Sequence, residues 1–195
     1  MRIISGMAGG IHLETPTGMD VRPTEDRVKE SIFSTLGDLT GKTVLDLFAG
    51  TGALGLEALS RGASVVHGFE INRRNSEVIK RNIALVEKQM AIANGYILHV
   101  EDAKNASTIL SSLAGRIDVI LADPPYETAQ GQYGWRELML DDGMAQLMSP
   151  DGILMLEHGS AKELPWTPES QWKCLRSKVF GIRCVSYASL ANRRS

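Results

Sequence analysis

The spacing of apolar residues divides the chain into a short irregular start and a long alternation of strands and helices. Over residues 1–22, Ile3, Ile4, Ile11 and Leu13 alternate weakly among glycines, which predicts a small β-ribbon or an arm laid on the main body. Thr24 is placed to cap a helix with Glu25 and Asp26 in its first turn, where the helix dipole favours anions. Val28, Ile32 and Leu36 follow at four-residue spacing with Phe33 beside them, giving that helix an apolar stripe to bury. From Thr43 onward, apolar runs predict strands over residues 43–48, 65–70, 96–100, 117–122 and 153–157. Between them, helices are predicted over 53–61, ended by Gly62, and after the capping residue Asn72, with Ile79, Ile83, Val86 and Met90 on the inward face. Two more are expected from Ala103 to about Leu113 and over 138–148, the second followed by a turn at Ser149-Pro-Asp-Gly152. Residues 174–179 and 182–190 read as an antiparallel hairpin about Phe180-Gly181.

Strands alternating with helices imply an α/β fold, a mostly parallel open sheet covered by helices on both faces. Its ligand is then expected across the carboxyl ends of the strands. The organisation predicted is an arm over 1–22 and one domain over 23–195, with no internal repeat or low-complexity segment.

Composition narrows the class. The chain has 195 residues, 43% hydrophobic and 23% charged, which suits one globular domain. It lacks the run of ~20 apolar residues that a membrane helix needs, and the N-terminus does not read as a signal peptide. A cytoplasmic protein with no membrane partner is expected. A net charge of −2 excludes holding nucleic acid by bulk charge, but leaves room for a local basic patch. Cys174 and Cys184 read as packing residues, or as a bridge if they face each other across the hairpin. His12, His67, His99 and His158 have no metal-ligand spacing, and no metal is expected.

Candidate chemistry falls at strand ends. The segment from Asp46 through Leu47, Phe48 and Ala49 to Gly50-x-Gly52-x-x-Gly55 follows the first strand and opens a helix. The glycine spacing fits the dinucleotide-binding fingerprint and also fits a plain tight turn. Asp46 separates these readings, because a carboxylate there would face a pyrophosphate unfavourably. It suits a cofactor that presents an ammonium and a sulfonium, as S-adenosylmethionine does. Glu70, ending the second strand, can accept both ribose hydroxyls, or it is a solvated strand-end residue. Asp102, after the third strand, can accept from an adenine amino group, or it is a turn residue.

Asp123-Pro124-Pro125-Tyr126 ends the fourth strand. Two successive prolines remove two N–H donors and leave carbonyls as the main-chain polar groups, while Asp123 adds a side-chain acceptor. A loop rich in acceptors suits a bound amino group. Hydrogen bonds from an exocyclic base amine to Asp123 and the Pro124 carbonyl would orient its lone pair and stabilise the charge that develops on alkylation. Tyr126 offers a face on which the base can stack.

With both motifs placed, the chain resembles class I methyltransferases of the N-methylating type, and more narrowly the RsmD-type family, bacterial enzymes that modify the N2 amino group of a guanine in small-subunit ribosomal RNA. The resemblance runs through Met1-Arg-Ile-Ile-Ser-Gly6, Pro16-Thr-Gly18, Arg22-Pro-Thr-Glu-Asp-Arg-Val-Lys-Glu30, Val44 to Ala58, Asp123 to Tyr126 and the C-terminal hairpin. It implies a Rossmann-like, mostly parallel seven-stranded sheet and an S-adenosylmethionine cofactor. It also implies a partner in ribosomal RNA or the small subunit. Asp46, Phe48, Gly50, Gly52, Glu70 and Asp102 would contact cofactor. Asp123, Pro124 and Tyr126 would hold the guanine, and Arg22, Thr24 and Arg27 would lie near the mouth of the site. Read from the residues alone, Arg22 and Arg27 are either solvated or on phosphate. Members of that family commonly carry several Lys or Arg in the arm, whereas here Gly6-Met-Ala-Gly-Gly-Ile-His12 carries no fixed positive charge, which leaves Arg2, Lys29, Arg73, Arg74, Lys80 and Arg81 as other candidate basic contacts. Alternative acceptors are an adenine or cytosine amine in DNA or RNA, or a protein glutamine amide. A monomer is expected.

Overall fold

The computed structural model describes residues 1–16, 26–125, 132–159, 166 and 170–191. Its seven strands are β1 (Thr43–Asp46), β2 (Val65–Phe69), β3 (Tyr96–His99), β4 (Ile117–Ala122), β5 (Met148–Gly159), β6 (Trp172–Phe180) and β7 (Arg183–Leu190). They form one sheet in the order β3-β2-β1-β4-β5-β7-β6. The first five are parallel, and β7 and β6 add an antiparallel hairpin at the β5 edge. Strand order reverses between β1 and β4, where an open α/β sheet leaves a crevice for a ligand.

Alternate strand residues feed two cores. Val44, Val66, Val119, Leu121, Met155, Val185 and Tyr187 pack with α1 (Asp26–Leu36), α2 (Ala53–Ser60) and α3 (Arg73–Met90). Leu45, Phe69, Ile120, Leu154 and Leu156 pack on the opposite face, with α4 (Ala106–Ile109), α5 (Trp135–Met139) and α6 (Asp142–Leu147). The stripes predicted on the first and third helices are the buried ones: Val28, Ile32 and Phe33 on α1, and Ile79, Val86 and Met90 on α3. Asn72 caps α3, its side chain accepting from the Arg74 and Asn75 N–H groups.

Several local predictions are corrected. The helix expected over 138–148 is two short ones, α5 and α6, separated at Leu140, and Met148 already belongs to β5. Asp141 restarts the helix by capping the Met144 N–H at 3.0 Å. The turn expected at residues 149–152 is absorbed into β5 as an irregularity: Ile117 pairs with Met148 and Val119 with Ile153, so three extra residues bulge from the β5 side. The helix expected from Ala103 is broken into 3-10 turns flanking α4. β1 stops at Asp46 rather than running to Phe48. Cys174 lies opposite Ala188 and Cys184 opposite Val179, so the cysteines do not face each other, and both are free.

The described part of the arm, residues 1–16, folds back on itself through a bridge between Arg2 and His12, and it buries Ile3, Ala8 and Leu13 in the core under α1 and α2. The cap expected at Thr24 lies outside the described residues. No helix among those described is long and apolar enough to cross a membrane.

Candidate active site

Parallel strands in register bring their last residues to one edge. Side chains alternate between faces, so Glu70 after β2, Asp46 at the end of β1, Asp123 after β4 and Glu157 near the end of β5 share the face covered by α1, α2 and α3. The result is a row of four carboxylates across adjacent strands.

Asp46 is buried. Its Oδ2 accepts from the Gly55 N–H at 3.0 Å and from the Tyr96 hydroxyl at 3.1 Å. Burial and, to a smaller extent, Glu70 raise its pKa to about 6 against the pull of these two donors. Glu70 is held the same way: Oε2 accepts from Gly50 N–H at 3.0 Å and Oε1 from Asn72 N–H at 2.6 Å. Burial raises the Glu70 pKa, with those bonds and the Asn75 side chain opposing. Gly50 and Gly52 carry φ values of +57° and +78°, which L side chains rarely adopt. Gly55 answers a different need. A Cβ there would lie 2.6 Å from the Tyr96 ring and 2.8 Å from Asp46 Oδ2, so the third glycine makes room for the carboxylate and the ring that fixes it.

The other half of the row is built from like charges. Burial and then Glu157 push the Asp123 pKa well above the ordinary carboxylate range, with Arg183 opposing. Register explains this: Ala122 pairs with Leu156, so Asp123 comes beside Glu157, which is fully buried and ion-paired to Arg183 at 3.4 Å. Pro124 is buried and Pro125 exposed. Tyr126, Arg22 and Thr24 lie outside the described residues. Phe48 stacks on Tyr133, centroids 6.4 Å apart, and the Tyr133 hydroxyl donates to Asp141 at 2.7 Å. Asp102 caps the turn after β3, accepting from the Lys104 N–H at 3.1 Å. Arg27 is exposed on α1. On α3, Arg73, Arg74, Lys80 and Arg81 are all exposed, and Arg81 is paired to Glu14 and Lys80 to Glu77.

Residues 1–189 match the family described as Conserved hypothetical protein 95, the RsmD family. The chain belongs to this family. An RsmD-family relative, Ribosomal RNA small subunit methyltransferase D of Escherichia coli (strain K12), is 31% identical over 182 residues, covering 93% of this chain and 85% of that protein. The solved structure of the Escherichia coli protein yhhF superposes with a TM-score of 0.78 at 30% identity, covering 98% of this chain and 99% of that one. At the level of fold alone, SMU.776, solved in complex with SAH, aligns at 17% identity and a TM-score of 0.65, over 84% of this chain and 48% of its own length.

Three buried polar side chains tie the arm to the site; one of them, Lys29, is expected from the sequence to reach RNA, but its full burial rules that out. Glu57, fully buried on α2, accepts from Ile4 N–H (2.7 Å), Ser5 N–H (3.1 Å) and Arg61 Nε (2.8 Å). Lys29 of α1, also fully buried, lies 3.8 Å from Glu57 and donates to the Arg2 carbonyl. Asn82 on α3 accepts from Glu14 N–H (2.8 Å) and donates to the Glu14 carbonyl (3.1 Å) and the Thr51 carbonyl (3.0 Å). Arm, glycine loop and three helices are thus tied together through three buried polar side chains. Their signal in sequence is faint: Lys29 breaks the polar side of its helix no more than Glu30 does. Asn82 sits within an otherwise apolar α3 stripe, one position before Ile83.

Proposed function

We propose that this chain transfers the methyl group of S-adenosylmethionine to the exocyclic N2 amino group of a guanine in small-subunit ribosomal RNA. The observation that carries the reading is the row of carboxylates with Asp123-Pro124-Pro125 at its centre. Three of the four have raised pKa values. Buried carboxylates that crowd one another are stabilised by a cation, and a ligand bearing an ammonium and a sulfonium supplies two positive charges. These residues fit that cofactor better than a pyrophosphate. The name of the Escherichia coli relative points to the ribosomal RNA of the small subunit, and the SAH complex of SMU.776 supports the cofactor.

The cofactor, when bound, supplies an electrophilic methyl group. Asp46 and Glu70 fix the glycine loop beneath it through Gly55 and Gly50, and each carboxylate keeps lone pairs for a ligand, Glu70 toward ribose hydroxyls. Phe48, Gly50, Gly52 and Asp102 complete the cofactor contacts. Asp123 and the Pro124 carbonyl accept the two amine hydrogens, which aims the nitrogen lone pair at the methyl carbon. Tyr126 stacks on the guanine, and Arg22, Thr24 and Arg27 take the RNA at the mouth. A guanine amine is weakly nucleophilic because its lone pair is delocalised, so the largest contribution of the site is charge stabilisation as the nitrogen becomes cationic. The alkylated nitrogen then loses a proton, and a carboxyl of raised pKa such as Asp123 can hold it.

A methyl-transfer assay with tritiated S-adenosylmethionine tests the reading. Small subunits, naked ribosomal RNA and DNA serve as acceptors, followed by digestion to nucleosides. Label in N2-methylguanosine from a ribosomal acceptor is the expected result. Label in methyladenine or methylcytosine, or in a protein acceptor, would replace the substrate while leaving the amine chemistry in place.

A further inference from the structure

The last 26 residues are unlike the rest of the chain. From Ser170 to Ser195 there are six bases, Lys173, Arg176, Lys178, Arg183, Arg193 and Arg194, and no acid; all 23 acidic residues precede them. Residues 3–13 of the arm, by contrast, contain no Lys or Arg. Within this C-terminal segment, Trp172–Phe180 and Arg183–Leu190 form the β6–β7 hairpin. β7 runs antiparallel to β5 and pairs Arg183 with Gly159, so the turn at 181–182 projects from the sheet edge where Asp123 and Glu157 lie. It stands two to three strands from β4, roughly 10–15 Å across the sheet.

The tip is apolar and exposed. Ile182 is 69% exposed and Val179 63% exposed. Turn positions ordinarily take polar residues or glycine, so a β-branched apolar side chain at the turn is unexpected unless something covers it. The tip is also held in place. Lys178 Nζ donates to Ser31 Oγ at 3.0 Å and Thr35 Oγ1 at 2.8 Å on α1, and Arg183 is paired to Glu157. Along the outer strand, Lys173 and Arg176 are exposed, and a bulge between Cys174 and Arg176 interrupts the edge, which discourages pairing with another strand.

We infer that this hairpin is an RNA-contacting surface that handles the nucleotides flanking the target guanine. Val179 and Ile182 pack against a neighbouring base or occupy the space the target leaves when it unstacks, while Arg176 and, farther along the strand, Lys173, both on the opposite face of the ribbon from Val179, reach phosphates. The inference rests on the function proposed above. A base whose amine is alkylated must leave its stack or already be unpaired, and rigid apolar wedges are one way proteins compensate lost stacking. A segment whose own charges are all positive, ending in an apolar tip, matches a polyanion with exposed base faces.

The test uses the full chain with two variants, Val179→Ser/Ile182→Ser and Lys173→Ala/Arg176→Ala. The acceptors are naked small-subunit ribosomal RNA, assembled subunits and an unstructured guanine-containing oligonucleotide. For the tip variant the KM for structured RNA should rise on the order of tenfold. Its S-adenosylmethionine affinity and melting temperature should stay unchanged, and the defect should shrink on the unstructured oligonucleotide. The charge variant should weaken RNA binding and make the salt dependence of log K shallower by roughly one to two. Wild-type RNA binding and KM in both variants, with an active parent enzyme, would overturn the inference alone. So would a defect confined to assembled subunits, which would indicate a protein partner, or a change of oligomeric state without an RNA effect. If the parent chain neither binds nor methylates RNA, the proposed function fails and this inference fails with it.

Discussion

The two halves of the carboxylate row are built in opposite ways. On the β1–β2 side, Asp46 and Glu70 are buried but receive fixed donors: the N–H groups of Gly55, Gly50 and Asn72, and the Tyr96 hydroxyl. On the β4–β5 side, Asp123 is crowded by Glu157, and the opposing cation is Arg183. The first half uses its charges to shape a loop. The second holds a charge whose surroundings disfavour it, which a cationic ligand or a nitrogen gaining positive charge would relieve. Under the proposed function, the difference separates a scaffold for cofactor from a group poised for chemistry, and strain of the second kind is stabilised by the surrounding fold.

The sharpest way to break this comparison is Asp123→Asn, which keeps the shape and removes the charge. Methyl transfer should fall on the order of a thousandfold. Stability should move the other way. A carboxyl with a raised folded pKa contributes stability at low pH that is lost as pH rises through that pKa, so the substitution should raise the melting temperature at pH 8. A lower melting temperature in the variant would mean that Asp123 is not crowded. Next in size, Glu57→Ala removes the acceptor for two arm N–H groups and for Arg61, and the ion partner of Lys29; breaking such a buried pair costs roughly 3–5 kcal/mol, readable by denaturant titration. A loss under 1 kcal/mol would show that the arm is not anchored there.

The pH dependence sharpens the first half. Asp46 titrates at about 6 instead of its ordinary 3.8. If its charge favours the cationic cofactor, affinity should be flat above pH 7 and fall below pH 6, by up to about tenfold per unit. An affinity unchanged down to pH 5, measured by calorimetry, would remove Asp46 from cofactor recognition. The smallest effect is expected from Tyr96→Phe, which deletes one donor to Asp46 and costs on the order of 1 kcal/mol. It should also shift the pH dependence of cofactor binding upward, because one of the groups holding the Asp46 charge is gone. A downward shift would contradict that geometry.

Much of the fold was legible because period and punctuation agreed. The parallel strands, the Asn72 cap and the α3 stripe all follow from local pattern. The misreadings came where tertiary context won. The residues 149–152 carry turn chemistry, yet pairing with β4 draws them into β5 as a bulge. A single apolar stretch over 138–148 hides a break that Asp141 caps. For the site, strand-end carboxylates could be picked one by one, and the register gathers Asp46, Glu70 and Asp123 on one face. Glu157 escaped notice because an acid after a long apolar run looks like an ordinary strand end; only the Ala122–Leu156 pairing reveals its neighbour. The burial of Lys29 and Glu57 escaped for the same reason, since neither helix pattern marks a charged residue for burial and their partners lie in the arm.

The most direct measurement of the central claim is a crossed comparison of Glu70→Ala with Asp123→Asn, taking cofactor affinity by calorimetry and transfer rate at saturating cofactor from the same preparations. A split is expected. Glu70→Ala should weaken cofactor binding at least about tenfold while retaining most of the saturated rate, and Asp123→Asn should bind cofactor within a few-fold and transfer almost nothing. If both variants lose affinity and rate together, the row acts as one undivided unit and the separation of scaffold from chemistry is wrong.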